Sequence, residues 1–79
     1  MNKEKLRSII VLHGDNQNKL SFFIGITPQS FSSKINERKG SEFTQTEIGL
    51  IKKKYNLSAK EVDDIFFNKF VSLKDTKVG

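Results

Sequence analysis

A helix-start pattern that recurs five times is the feature that most constrains how this 79-residue chain can fold. In each copy, a small polar residue that can accept a hydrogen bond from the first free amides of a helix is followed four positions later by an apolar residue. Further apolar residues then return three and four positions apart, as one buried face of a helix requires. The five pairs are Asn2 with Leu6, Asn16 with Leu20, Thr27 with Phe31, Thr44 with Ile48, and Ser58 with Val62. The pattern predicts five short helices.

Additional signals lie at several of these helix starts. Glu47 and Glu61 stand at the third position of the fourth and fifth helices, where a carboxylate completes a capping box. Pro28 stands at the first position of the third helix, where its missing N–H group costs nothing. Because no convincing alternation of apolar and polar residues precedes residue 70, we predict an all-α fold. It comprises a five-helix domain over residues 1–69 and a short C-terminal tail over residues 70–79.

Composition excludes several classes of protein. Cysteine is absent, so disulfides, thiolate zinc sites and iron–sulfur clusters are ruled out. The longest apolar run, from Ile9 to Leu12, is far shorter than the ~20 residues of a membrane span. The first residues also lack the apolar stretch of a secretory signal. We therefore expect a soluble intracellular protein with no cofactor, no bound metal and no membrane partner.

Charge points to an anionic partner. Fourteen Lys and Arg residues against nine Asp and Glu residues give a net charge of +5. A basic small domain most often meets nucleic acid, although a solubilising surface is the plainer alternative. Residues 16–41 carry +3 of this charge, from Lys19, Lys34, Arg38 and Lys39 against Glu37. This concentration is what an electrostatic footprint for nucleic acid requires.

The second and third predicted helices form the segment with the most specific pattern. They are separated by only three residues, Gly25-Ile26-Thr27, which predicts a helix-turn-helix. Ser21 is small, as it must be where the second helix crosses the first closely. Gly25 suits the left-handed backbone that such a turn needs. Gln29, Ser30 and the serines that follow lie away from the apolar face of the third helix, where they form a polar surface.

This segment resembles the helix-turn-helix of the Cro/repressor-type (xenobiotic-response-element-like) family, especially small prophage regulators. The resemblance covers roughly residues 3–68 and implies a lambda-repressor-like five-helix domain. Asp15 departs from the family pattern, which has an apolar residue there, and Phe22 falls where a polar residue is usual. The matching residues are Gln17, Leu20, Ser21, Ile24, Gly25, Ile26, Thr27, Phe31, Ser32, Lys34 and Ile35.

The resemblance implies that the third helix lies in the major groove of DNA, with its N-terminal side chains on base edges. Gln29 is the best candidate for direct readout, because its amide can donate to and accept from adenine. The predicted base contacts are Thr27, Pro28, Gln29 and Ser33. The predicted backbone contacts are Asn16, Gln17, Lys19, Ser30, Ser32, Lys34, Asn36, Arg38 and Lys39. A merely solvated polar face is the alternative for this helix.

Family members usually dimerise, which places two reading helices about 34 Å apart on one face of DNA. We predict a homodimer through the C-terminal region, which we take to be the only apolar surface left for it. The segment from Phe70 to Leu73 is either a short strand or a helix tail. The predicted interface residues are Phe66, Phe67, Phe70, Val71 and Leu73.

The function implied by the resemblance is a sequence-specific, double-stranded DNA-binding transcriptional regulator. It would be a phage or prophage repressor or Cro-like protein that blocks a promoter in the cytoplasm, at the nucleoid. The alternative is a helix-turn-helix module that binds another regulator, which Phe22 and the apolar tail favour. An enzyme with a small-molecule substrate is not expected. The sequence has no Gly-rich phosphate loop, and its one histidine, His13, has no catalytic arrangement around it.

Overall fold

The computed structural model describes residues 1–67, which form α-helices, one short 3-10 turn and no β-strand. The predicted all-α class is confirmed for this part of the chain, whereas the alternatives for residues 70–73 lie outside the described residues. No helix within residues 1–67 has the length and apolar character to cross a membrane. The helices are α1 (Lys3–Leu12), α2 (Gln17–Ile24), α3 (Pro28–Ile35), α4 (Gln45–Tyr55) and α5 (Ala59–Phe66), and the 3-10 turn is Arg38–Gly40.

Every predicted helix start is confirmed at the level of hydrogen bonds. In each case the side-chain oxygen of the capping residue accepts from the backbone N–H three residues later, at 2.8–3.1 Å. Each such cap stabilises its helix by about 1 kcal/mol. Glu47 and Glu61 complete the two capping boxes by accepting from the backbone N–H of the cap residue at 2.9 Å. The five caps are Asn2, Asn16, Thr27, Thr44 and Ser58.

The turn between α2 and α3 reverses the chain within three residues. Gly25 has φ +84°, a left-handed conformation that a residue with a β-carbon rarely adopts. Its N–H donates to the carbonyl of Phe22 at 3.2 Å, and the N–H of Ile26 donates to the carbonyl of Ser21 at 3.0 Å. These two bonds satisfy carbonyls at the end of α2 and direct the chain straight into α3.

The core draws apolar side chains from all five helices and from two connecting loops. Ser21 is fully buried on α2, and its hydroxyl donates to the carbonyl of Asn18 at 2.7 Å. Three aromatic rings pack edge to face, with centres 5.3 Å apart for Phe31 and Phe43 and 5.8 Å apart for Phe43 and Phe66. The buried apolar residues are Leu6, Ile9, Ile10, Leu20, Ile24, Phe31, Ile35, Phe43, Ile48, Ile51, Tyr55, Leu57, Val62, Ile65 and Phe66.

The expectation that the C-terminal region is the only exposed apolar surface is wrong. Val11 and Leu12, at the end of α1, are among the most exposed large apolar side chains in residues 1–67. Phe22 and Phe23 on α2 are exposed as well. These four side chains point away from the stripes that line the core, so helical spacing explains their exposure but does not explain their apolar character.

Candidate nucleic-acid interface

The outward side of α3 is polar and open at its amino end. Gln29 and Ser30 are exposed, and Ser33 is half-buried one turn further along. On the opposite side, Phe31 and Ile35 are almost fully buried and fix the helix to the core. The predicted base-contact residues therefore lie together on and beside the first two turns of α3. They are Thr27, Pro28, Gln29 and Ser33.

An open groove borders this end of α3. Hydroxyl and amide groups line it, together with one amine, and no carboxylate lines it among the described residues. Ser41 lines the groove from the loop after the 3-10 turn, and the sequence analysis missed it. Nothing in the spacing of Ser41 predicts this position, which depends on how the loop folds back. The lining residues are Thr27, Gln29, Ser30, Ser33, Lys34 and Ser41.

Lys34, a predicted phosphate contact, is already paired. Its amine lies 2.9 and 3.0 Å from the two carboxylate oxygens of Glu47, and both side chains are largely buried. Burial pushes the pKa of Glu47 upward. The hydrogen bonds from Lys34 and from the Thr44 backbone outweigh burial and hold this pKa below its usual value. The positive charge of Lys34 is thus neutralised at the base of the groove and is not free for a phosphate in this arrangement.

Asn36, another predicted backbone contact, is also engaged within the domain. Its amide nitrogen donates to the carbonyl of Ser32 at 2.9 Å, and its oxygen accepts from the amine of Lys3 at 3.0 Å. Lys3 lies at the start of α1, so this bond joins α1 to the end of α3. This contact is not predictable from the sequence, because only the packing of the two helices brings Lys3 close to Asn36.

The amino end of α2 lies at the surface. Asn16 and Lys19 are exposed and Gln17 is half-buried. Asn16 uses its oxygen to cap the helix, which leaves its amide nitrogen free to donate. An open concavity here is shared with Arg7 of α1. Arg7 forms no ion pair within residues 1–67, so it adds a cation beside Gln17 that the sequence analysis did not identify.

The loop after α3 contributes two further cations. Arg38 and Lys39 are both exposed and form no ion pair within the described part of the chain. Glu37 and Lys39 have φ values of +53° and +51°, which are uncommon for residues with a side chain. This loop and the amino end of α2 supply exposed positive charge to the candidate interface.

Asp15 departs from the family pattern, yet its carboxylate is well partnered. It accepts a 2.7 Å hydrogen bond from the hydroxyl of Tyr55 and lies 3.6 Å from the amine of Lys54. The Tyr55 hydrogen bond and the nearby Lys54 hold the pKa of Asp15 below its usual value, although burial opposes them. Burial and this carboxylate raise the pKa of Tyr55. Asp15 therefore joins the loop before α2 to the end of α4.

Of the predicted dimer residues, one lies in the core, one lies at the surface, and the other three fall outside residues 1–67. Phe66 is buried and packs edge-on against another core ring, so its side chain belongs to the core of a single copy. Phe67 is 45 % exposed. Phe70, Val71 and Leu73 lie outside the described residues.

Residues 1–67 contain no cluster of three or more histidine and carboxylate side chains suited to a metal ion. No family model matches the chain, and no curated protein and no solved structure matches it either.

Proposed function

We propose that this chain is a sequence-specific regulator that binds double-stranded DNA, with α2 and α3 forming a helix-turn-helix of the Cro/repressor type. One observation carries the proposal: a polar, carboxylate-free amino end of α3, held outward on a helix that its apolar side anchors in the core. Such an end can enter the major groove and present an amide and hydroxyls to base edges.

The distribution of charge supports the same function. Lys19 and Arg38 flank α3 in sequence, Lys39 follows Arg38, and all three are exposed. Cations at these places can neutralise phosphates on both sides of a groove that α3 enters. In this proposal the protein blocks a promoter by occupying it, as a phage or prophage repressor does, and two copies act together because one short helix buries little surface.

A protein-interaction module is the second candidate, because Phe22 is 69 % exposed on α2. Fluorescence anisotropy with a labelled random-sequence duplex at 50 mM salt separates the two functions. A DNA-binding domain binds non-specifically with a Kd of about 100 µM or tighter. If no binding occurs at that concentration, the DNA function is rejected in favour of protein interaction.

Salt dependence tests which cations meet phosphate. The three exposed cations that flank α3, Lys19, Arg38 and Lys39, predict a slope of about −3 per bound copy for log K against log salt concentration. We expect Arg38→Ala to make this slope less steep by about 1 and to weaken binding to all sequences alike. Lys53→Ala removes another exposed cation, on α4, and serves as the matched control. Equal effects of the two substitutions would contradict the proposed footprint.

Base readout by Gln29 is tested on a site selected from a random DNA pool. Gln29→Ala is expected to abolish the preference at one base step, which lowers discrimination there by about 1–3 kcal/mol, or roughly 5- to 150-fold. Because Gln29 is exposed, its replacement should change the free energy of unfolding by less than about 0.5 kcal/mol. An unchanged base preference would remove Gln29 from the reading role.

A further inference from the structure

Two exposed phenylalanines on α2 lie among lysines, and we name Lys19, Phe22, Phe23 and Lys54 the aromatic–lysine patch. Phe22 is 69 % and Phe23 is 49 % exposed. Lys19 stands one turn before both rings on the same helix, and the amine of Lys54 lies 4.5 Å from the centre of the Phe23 ring. The charge of Lys54 is shared with Asp15 at 3.6 Å, so Lys19 is the freer cation of the patch.

The end of α5 also has an exposed aromatic ring, but here the charged neighbour is a carboxylate and not an amine. Phe67 is 45 % exposed, and Asp63 is exposed one helical turn before it, on the same side. The other aspartate of this helix, Asp64, is paired with Lys5 at 3.5 Å and Lys60 at 3.6 Å. Asp63 forms no ion pair within residues 1–67, so the end of α5 presents an aromatic ring beside a free carboxylate.

Within residues 1–67, the rings of Phe22, Phe23 and Phe67 stay substantially exposed. Phe67 has one internal aromatic neighbour, Phe66, with ring centres 6.5 Å apart. Lys54 also has an internal aromatic neighbour, since its amine lies 5.8 Å from the centre of the Tyr55 ring. We propose that the end of α5 of one copy docks on the aromatic–lysine patch of a second copy. Phe67 then packs against the two exposed rings of the patch, and Asp63 faces Lys19.

This contact is head-to-tail, because it joins two different surfaces. Each end of a dimer then keeps one unused surface, so a third copy can add. The patch comprises four side chains, whereas each partner in a stable complex contributes about 20–30 residues, so the association is weak, with a Kd of about 0.1–1 mM. Lys19 is also a phosphate contact in the proposed function, so DNA and a second copy would compete for this cation. The test of the contact contains no DNA, so its failure is distinguishable from failure of the proposed function.

Sedimentation of the full chain between 0.05 and 1 mM in 150 mM salt tests the contact. The wild-type protein is expected to show a mass that rises with concentration past that of a dimer. Phe22→Asp disables only the patch, and Asp63→Lys disables only the end of α5, so each variant alone should associate at least tenfold more weakly. An equimolar mixture of the two retains one intact pair of surfaces and should form a dimer and nothing larger.

Two matched control variants make the same kinds of substitution at exposed residues outside the two proposed surfaces. Leu12→Asp replaces another exposed apolar side chain, and Glu4→Lys reverses another exposed carboxylate, and both should associate as the wild type does. Circular dichroism checks that every variant keeps its helices. The proposal is overturned if the wild type stays monomeric at 1 mM, if the single variants associate normally, or if the mixture remains monomeric.

Discussion

We expect Phe31→Ala to bring the free energy of unfolding close to zero, so that about half of the molecules are unfolded at 25 °C. Phe31 is a large side chain with no exposed surface, and it lies under the outward face of α3 and 5.3 Å from the ring of Phe43. Removing a buried phenyl ring costs about 3–5 kcal/mol. A single core in a chain of this size supplies a net stability of about 3–5 kcal/mol. The cost of the substitution is therefore comparable to the entire free energy of unfolding.

Phe22→Ala is the matched control, because it removes the same side chain from an exposed position on the neighbouring helix. Its cost should stay within about 0.5 kcal/mol. Urea denaturation followed by circular dichroism at 5 µM protein, where self-association is negligible, measures both variants. A folded Phe31→Ala protein with a midpoint near that of Phe22→Ala would contradict the assignment of Phe31 to the core.

The local part of this fold follows from the sequence because its causes are local. A cap bonds to an amide three residues away, and an apolar residue at Leu20 or Phe31 returns to the same face by helical spacing alone. The left-handed Gly25 is likewise predictable, since a three-residue reversal requires a conformation that only glycine adopts easily. These short-range rules predicted where each helix starts and the outward position of Gln29.

The partners of the polar side chains do not follow from such rules. Lys34 meets Glu47, Asn36 meets Lys3, and Asp15 meets Tyr55 across sequence separations of 13, 33 and 40 residues. Only the packing of whole helices decides these encounters. Two of the predicted phosphate contacts, Lys34 and Asn36, therefore prove to be occupied, and the free cation Arg7 beside Gln17 went unnoticed.

The second large effect on the free energy of unfolding is expected at Glu47, which joins α4 to α3 of the candidate interface. Its carboxylate caps α4 through the N–H of Thr44 and also binds the amine of Lys34 on α3. Glu47→Gln keeps a side chain that can complete a capping box but leaves the largely buried Lys34 without a counter-charge. Breaking a fully buried pair costs about 3–5 kcal/mol, and for this slightly exposed pair we expect about 2–3 kcal/mol.

Glu61→Gln is the matched control, because Glu61 completes the capping box of α5 and pairs with no lysine within residues 1–67. It should cost less than about 0.5 kcal/mol. Lys34→Met combined with Glu47→Gln should recover most of the lost stability, since it replaces the unpaired ammonium with an apolar side chain. Urea denaturation at pH 7 measures all three variants, and equal losses in the two Gln variants would show that the ion pair contributes nothing.

The dependence on pH separates the charge of Glu47 from its shape. Because the pKa of Glu47 is held below its usual value of 4.5 in the folded chain, its ionised form stabilises the fold. This contribution is fully present above pH 4.5 and is lost as the pH falls through the folded pKa. The difference in unfolding free energy between the wild type and Glu47→Gln should therefore be constant near neutral pH and shrink in acid. A difference that persists undiminished at pH 2 would mean that the glutamine disturbs packing, and that the pair with Lys34 does not fix α3 against α4 through its charge.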